Sequence, residues 1–239
     1  MRVLGIDTSS KTGAFGFIDG EQVVFTEQVK IRPGGSEKIP ALLLEAFMDV
    51  GRKLDELELI AVGVGPGSYT GVRVGLAIAK GMAFGLRIPL VGVSTLQALA
   101  TNIQKCSVLI CPLAKSRKGE VYAGLYQKHE GFLEELAPPA IWKLEGLAVA
   151  LQEKERPVII LGEDLEEEQA YLSSILKAQA SYGIGKENLV DGARLARLGW
   201  VEWEKNKENQ LYTALPLYLR RTEAEVRWEE RSCRVDSED

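Results

Sequence analysis

Histidine is almost missing from this chain. His129 is the only one among 239 residues. A metal centre built on imidazoles uses two or more of them in most cases, so a histidine-based metal site is excluded. A serine–histidine–acid triad would have to recruit His129, which lies in YQKHEGF, a hairpin-like turn of the kind that solvent covers. Cysteine is scarce as well. Cys106, Cys111 and Cys233 fit no zinc or redox spacing, and three is an odd count. They read as reduced thiols of a cytoplasmic protein. No window approaches about eighteen consecutive apolar residues, so no membrane-spanning helix is expected. The opening MRVLGIDTSS lacks the apolar stretch of a secretion signal. Excess positive charge is lacking too. Lys and Arg number 29 against 34 Asp and Glu, a net charge of −5. A free-standing nucleic-acid binder needs clustered cations to neutralise phosphates, and this balance argues against one.

What is present is the composition of an ordinary globular protein, 46% hydrophobic and 26% charged. RVLGID reads as a buried strand. GAFGFID and EQVVFTEQV read as a hairpin turning at Asp19-Gly20. Between Glu37 and Leu54 the residues Ile39, Leu43, Phe47, Val50 and Leu54 fit one helical stripe, with Leu44 and Met48 off it. A helix apolar beyond one face is buried twice or meets a partner. LELIAVG, VRVGLAIAKGMAFGL, IPLVGVS and TLQALATNI then alternate strand and helix. The second half starts again with SVLICPLAKS and GEVYAGLYQ as a strand pair, then PVIILGED as a strand. EEQAYLSSILK and DGARLARLGWVEWEKNK follow as helices. Two α/β units of one plan predict an internal duplication, with residues 1–104 as the first lobe and 105–221 as the second. A terminal helix near 191–207 is expected to pack back on the first lobe, and residues 222–239 form a charged tail.

Two stretches are candidates for a phosphate site. Asp7, Thr8 and Ser9 follow the first strand, and turn amides there form an anion-binding concavity. Gly65, Gly67 and Ser68 open GPGSYTGVRVGLAIAKG. The competing reading is that Thr and Ser after a strand satisfy turn hydrogen bonds by themselves. The second loop carries no carboxylate to hold magnesium. The best adenosine-loop candidate, LGEDLEE, has a run of acids that would repel a triphosphate. Neither a P-loop nor a Rossmann fingerprint is present. The loop is therefore a vestigial phosphate site at most.

The helix after the loop has small residues in rows. Gly71, Gly75, Ala79 and Ala83 make one, and Ala77, Gly81 and Gly85 the next. Each interior glycine costs about 1 kcal/mol against alanine. Close helix approach, below the usual axis separation of about 8–10 Å, offsets such a cost. The sharper expectation is contact with another chain through Ile39, Leu43, Leu44, Phe47 and Met48 of the first helix and Gly75, Ala79, Met82 and Ala83 of the second.

Taken in order, GIDTSS, GPGSYTGVRVGLAIAKG, GVSTLQALA, GEVYAGLY and PLYLR resemble the TsaB (YeaZ) family, from about Met1 to Arg221. The resemblance implies an α/β, two-lobed, actin-like or sugar-kinase-like (ASKHA) fold with duplicated lobes. It implies a non-catalytic scaffold that pairs with TsaD through the first two helices of the N-terminal lobe. TsaD is the catalytic relative, which carries a histidine pair for metal and transfers a threonylcarbamoyl group to the adenosine beside the anticodon of tRNAs reading ANN codons. Here RPGGSEKIP, where that relative would place its pair, has no histidine. The resemblance further implies the ATPase TsaE as a third component, a homodimer when the chain is alone, and tRNA contact only through the complex. No catalytic residue, metal or cofactor of its own is implied, though a nucleotide at an interface with TsaD or TsaE is compatible with it. Lys115 stands where many members have aspartate, before GEVY. The alternatives are a self-standing ATP-binding kinase or ATPase of the same superfamily and, more remotely, a metallopeptidase.

Overall fold

The structure, a computed structural model, describes residues 1–32, 35–129 and 131–220. The expected 222–239 tail and Cys233 lie outside the described residues. Strands β1 (Arg2–Asp7), β2 (Thr12–Asp19) and β3 (Gln22–Lys30) form an antiparallel meander. Helix α1 (Ile39–Asp49), β4 (Leu59–Gly63), α2 (Tyr69–Leu86), β5 (Leu90–Val93) and α3 (Thr95–Ala100) follow. The first sheet has the order β3-β2-β1-β4-β5, with β1, β4 and β5 parallel.

The pattern then repeats. Strands β6 (Leu109–Lys115), β7 (Glu120–His129) and β8 (Phe132–Lys143) lead to α4 (Leu144–Gln152), β9 (Val158–Leu161), α5 (Glu166–Leu176), β10 (Ala180–Tyr182) and α6 (Gly192–Asn206). The second sheet runs β10-β9-β6-β7-β8, the same winding as the first. Three elements absent from the sequence reading complete it: β8, α4 and β10. The Pro138-Pro139 pair and the acids of FLEELAPPAIWK hide β8 from a strand reading. It holds them because it is an edge strand, where proline's missing N–H and outward charges are tolerated. The first helix is shorter than its apolar residues suggest. It ends at Asp49, and Gly51 then takes a positive φ of 65° that turns the chain away.

Strand alternation assigns the faces of the first sheet. Leu4, Ile6, Phe15, Phe17, Ile60 and Val62 point to one side and join Ile39, Leu43 and Phe47 of α1 and Leu76, Ala79 and Ala83 of α2. Phe17, Phe25 and Phe47 form a ring cluster with centroids 4.9–6.0 Å apart. Each fully buried phenylalanine contributes about 1.5–3 kcal/mol by area alone. The opposite side carries Val3, Ala61, Val91 and Val93 against α3 and α6, and Ile110 and Tyr126 of the second sheet close the same cluster. Helices α3 and α6 are thus the layer between the two sheets. Helix α6 lies tight on the first sheet, because a Cβ at Gly192 would strike the backbone of Phe15 and Gly16. The second sheet's other face packs α4 and α5.

Beyond α6 the chain returns along β5. Leu90 N–H donates to Asn209 Oδ1 and Gly92 N–H to Gln210 Oε1, so the free edge of the sheet is covered by side-chain acceptors. Leu217 N–H then donates to the Val64 carbonyl at 2.7 Å, and the Tyr218 ring stacks on Tyr69.

Candidate functional site

The parallel strands β1, β4 and β5 end at one place, and the loops there carry the polar residues singled out above. Asp7, the last residue of β1, is buried. Its Oδ1 accepts from Ser9 N–H at 2.8 Å and Ser9 Oγ–H at 2.7 Å, and its Oδ2 accepts from Thr95 Oγ–H at 2.6 Å. Burial pushes the carboxyl upward from its ordinary range, and the donated bonds from Ser9 and Thr95 oppose that push. Thr95 in turn accepts from Gly65 N–H. Thr8 Oγ–H donates to the Gly71 carbonyl at 2.7 Å, and Ser68 N–H donates to the Ser9 carbonyl at 2.7 Å. Ser68 also caps α2, accepting from Gly71 N–H. Gly65 sits at φ 92°, a conformation that side chains disfavour.

The structure therefore brings Asp7, Thr8, Ser9, Gly65, Gly67 and Ser68 together, and Thr95 with them. It leaves no hydroxyl or carboxylate oxygen of Asp7, Thr8 or Ser9 without an internal partner. Thr95 escaped the sequence reading. Its signal was a Ser-Thr pair opening a helix directly after a strand, with Ser94 accepting from Gln97 N–H as the cap.

In front of this cluster lies a cleft between the lobes, about 280 Å³, walled by Ser10, Lys11, Lys115, Glu163, Asp164 and Asn188 among others. Glu163, between β9 and α5, reaches across it. Its carboxylate accepts from Thr12 N–H at 3.1 Å and Thr12 Oγ–H at 2.5 Å. Lys11 pairs with Asp164 at 2.5 Å beside it, and this bond holds the Asp164 carboxyl below its usual range. The start of β2 is thus tied to the second lobe by the protein's own carboxylate. Glu163 and Asp164 of LGEDLEE together bridge the two lobes across the cleft. Lys115 meets Glu168 at 3.8 Å. The expected outcome for Glu163→Ala is a loss of about 1–3 kcal/mol, from the unpaired Thr12 donors. Lys11→Met should leave the unfolding midpoint close to that of the wild type, because exposed pairs contribute little. Urea denaturation of both variants checks the difference.

The helix residues sort into two sets. Ile39, Leu43, Phe47, Ala79 and Ala83 are core, and Gly75 is buried with them, so these six cannot meet another chain in the folded lobe. That corrects the expected interface. The row Gly71-Gly75-Ala79-Ala83 faces the sheet and the Thr8 loop, where a Cβ at Gly75 would meet Thr8 Oγ1. Met82 is half-buried against the same core. The outward set is Leu44 (49% exposed) and Met48 (68%) on α1 and Phe84 (67%) on α2, where Ala77, Gly81 and Gly85 are exposed as well. At 100° per residue that second row lies on the far side of α2 from the first.

Among the described residues no cluster of His, Cys, Asp and Glu could hold a metal ion, and His129 is exposed at the end of β7. Among them, too, no helix is long and apolar enough to cross a membrane. A family model described as "TsaD: tRNA N6-adenosine threonylcarbamoyltransferase" matches residues 35–228. The Bacillus subtilis (strain 168) protein named "tRNA threonylcarbamoyladenosine biosynthesis protein TsaB" is 34% identical over 229 residues, 95% of this chain and 98% of that protein.

The chain belongs to the TsaB (YeaZ) family. The protein of the same name from Escherichia coli (strain K12) is 33% identical over 132 residues, 54% of this chain and 57% of its own length. Among solved structures, "YeaZ from Pseudomonas aeruginosa" superposes with a TM-score of 0.77 at 23% identity, covering 91% of this chain and 99% of that one. This likeness shows the two-lobed fold. The TsaD model matches through the fold that TsaB and TsaD share.

Proposed function

We propose that this chain acts in tRNA threonylcarbamoyladenosine biosynthesis as a non-catalytic subunit that pairs with a TsaD-type protein and activates it. The observation that carries this reading is the outward face of α1 and α2. Leu44 and Met48 of α1 and Phe84 of α2 stand exposed, α2 also exposes the small row Ala77, Gly81 and Gly85, and the sheet-facing sides of both helices are already buried. Exposed apolar side chains of this kind mark protein contacts when they form a patch, and the small row lets a partner helix come close. In the absence of the partner, the same face closes a homodimer, since a twofold contact uses one patch twice. A TsaE-type ATPase joins as a third component, and any nucleotide belongs to an interface with TsaD or TsaE. Contact with tRNAs reading ANN codons comes through the assembly, in keeping with the net charge of −5. On this reading residues 1–104 are the lobe that presents the partner helices and 105–221 the smaller lobe.

The interlobe cluster supports the non-catalytic half of the proposal. A kinase or ATPase of this superfamily needs an open anion site and a carboxylate free for magnesium. Here both oxygens of Asp7 accept protein hydrogen bonds, and Glu163 is engaged by Thr12 at the start of β2. ATP turnover and threonylcarbamoyl transfer to tRNA, measured for each chain alone and together, test it. The expected result is background from this chain alone and activity only with TsaD. Turnover on the order of 1 per second by this chain alone would overturn the scaffold reading.

A further inference from the structure

The second lobe contains a cavity of about 460 Å³ that the pairing function does not use. It lies between the β7–β8 ladder and α4, within the size range of small-molecule sites, about 300–1,000 Å³. Its walls are aliphatic and aromatic. Ala123 comes from β7, Leu136 and Trp142 from β8, and Ala150 and Leu151 from α4. The buried Cys111 thiol also lines it, and burial pushes that group up to about 12, so it stays uncharged. The β7–β8 pairing slips between Ala123 and Leu125 and again between Leu125 and Tyr126. Such bulges open a ladder locally and are frequent beside binding sites.

The rim supplies the chemistry. Glu153, Lys154 and Arg156 surround the mouth. Arg156 is half-buried, and its guanidinium makes no hydrogen bond or ion pair among the described residues. A partly desolvated cation without a partner is costly, and a carboxylate is its natural complement. We infer that this cavity binds an aliphatic monocarboxylic acid, with the chain among the β8 and α4 side chains and the carboxylate on Arg156. The aliphatic walls favour a hydrocarbon tail over a polar ring, and the two cations against one anion at the rim favour an acid over an amine.

The test is calorimetric titration of the full chain with octanoate and with octan-1-ol. Octanoate should bind at one site. Arg156→Gln should weaken octanoate about tenfold, the equivalent of one charge-assisted bond, and leave octanol unchanged. Ala150→Phe should fill the cavity and remove both; Ala137→Phe serves if the first variant melts early. Leu44→Asp, on the outward helix face, should bind octanoate as the wild type does. No octanoate binding by the wild type overturns the inference. So does an equal loss of acid and alcohol in Arg156→Gln, binding that survives the filled cavity, or loss of binding in Leu44→Asp.

Discussion

Leu44→Asp combined with Phe84→Asp should abolish pairing with TsaD and should also leave the isolated chain monomeric. Both side chains stand clear of their own lobe, at 49% and 67% exposure, so the fold loses little. Surface substitutions of that kind stay within about 0.5 kcal/mol. In a complex the same positions would be dry. A carboxylate placed in a dry apolar contact must be desolvated without a partner. An apolar anchor at the centre of an interface is worth about 2 kcal/mol or more, so two of them together imply a loss of affinity of a thousandfold or so. Calorimetry against TsaD measures the loss, and sedimentation measures the oligomer. Full-strength TsaD binding by a variant that melts like the wild type would place the interface elsewhere and sink the pairing proposal made above.

The element order of the first lobe is legible because it rests on local patterns, and the repeated α/β plan points to the duplication. Alternating apolar residues, Asp19-Gly20 and the glycine loop at Gly65 each specify their own neighbourhood. The second lobe was harder to read. Its β8 carries prolines and acids that only an edge position excuses, and edge position is a property of the whole sheet. The loop cluster was half legible. Asp7, Thr8, Ser9 and Ser68 stood out by type, but their internal hydrogen bonds depend on Thr95 and Gly71, which lie 88 and 63 residues from their partners. Glu163 was visible as a charge and not as the group that reaches across to Thr12. Which row of α2 is packed is not legible in the sequence, for a geometric reason. Two small rows run along α2, and the spacing of glycine and alanine does not say which one faces the sheet. The buried contact between Gly75 and Thr8 decides it, and that contact is set by the β1 loop.

That decision separates two substitutions of one residue type on one helix. Gly75→Leu should destabilise the lobe. Its new side chain meets Thr8 Oγ1, which already donates to the Gly71 carbonyl. Overpacking costs about 1–3 kcal/mol, and a broken Thr8–Gly71 bond adds about 1 kcal/mol. Gly81→Leu should do the reverse. Space around Gly81 is open, and replacing glycine inside a helix gains about 0.5–1 kcal/mol. The variant should melt slightly above the wild type and still fail to bind TsaD, because a leucine there holds a partner helix away from the Ala77-Gly81-Gly85 row. Thermal melts and a pull-down with TsaD read both outcomes. A Gly81→Leu protein that binds TsaD normally would mean that the partner does not approach along that row. A Gly75→Leu protein with an unchanged melt would mean that the Thr8 loop yields, and that the first row is not the packed one.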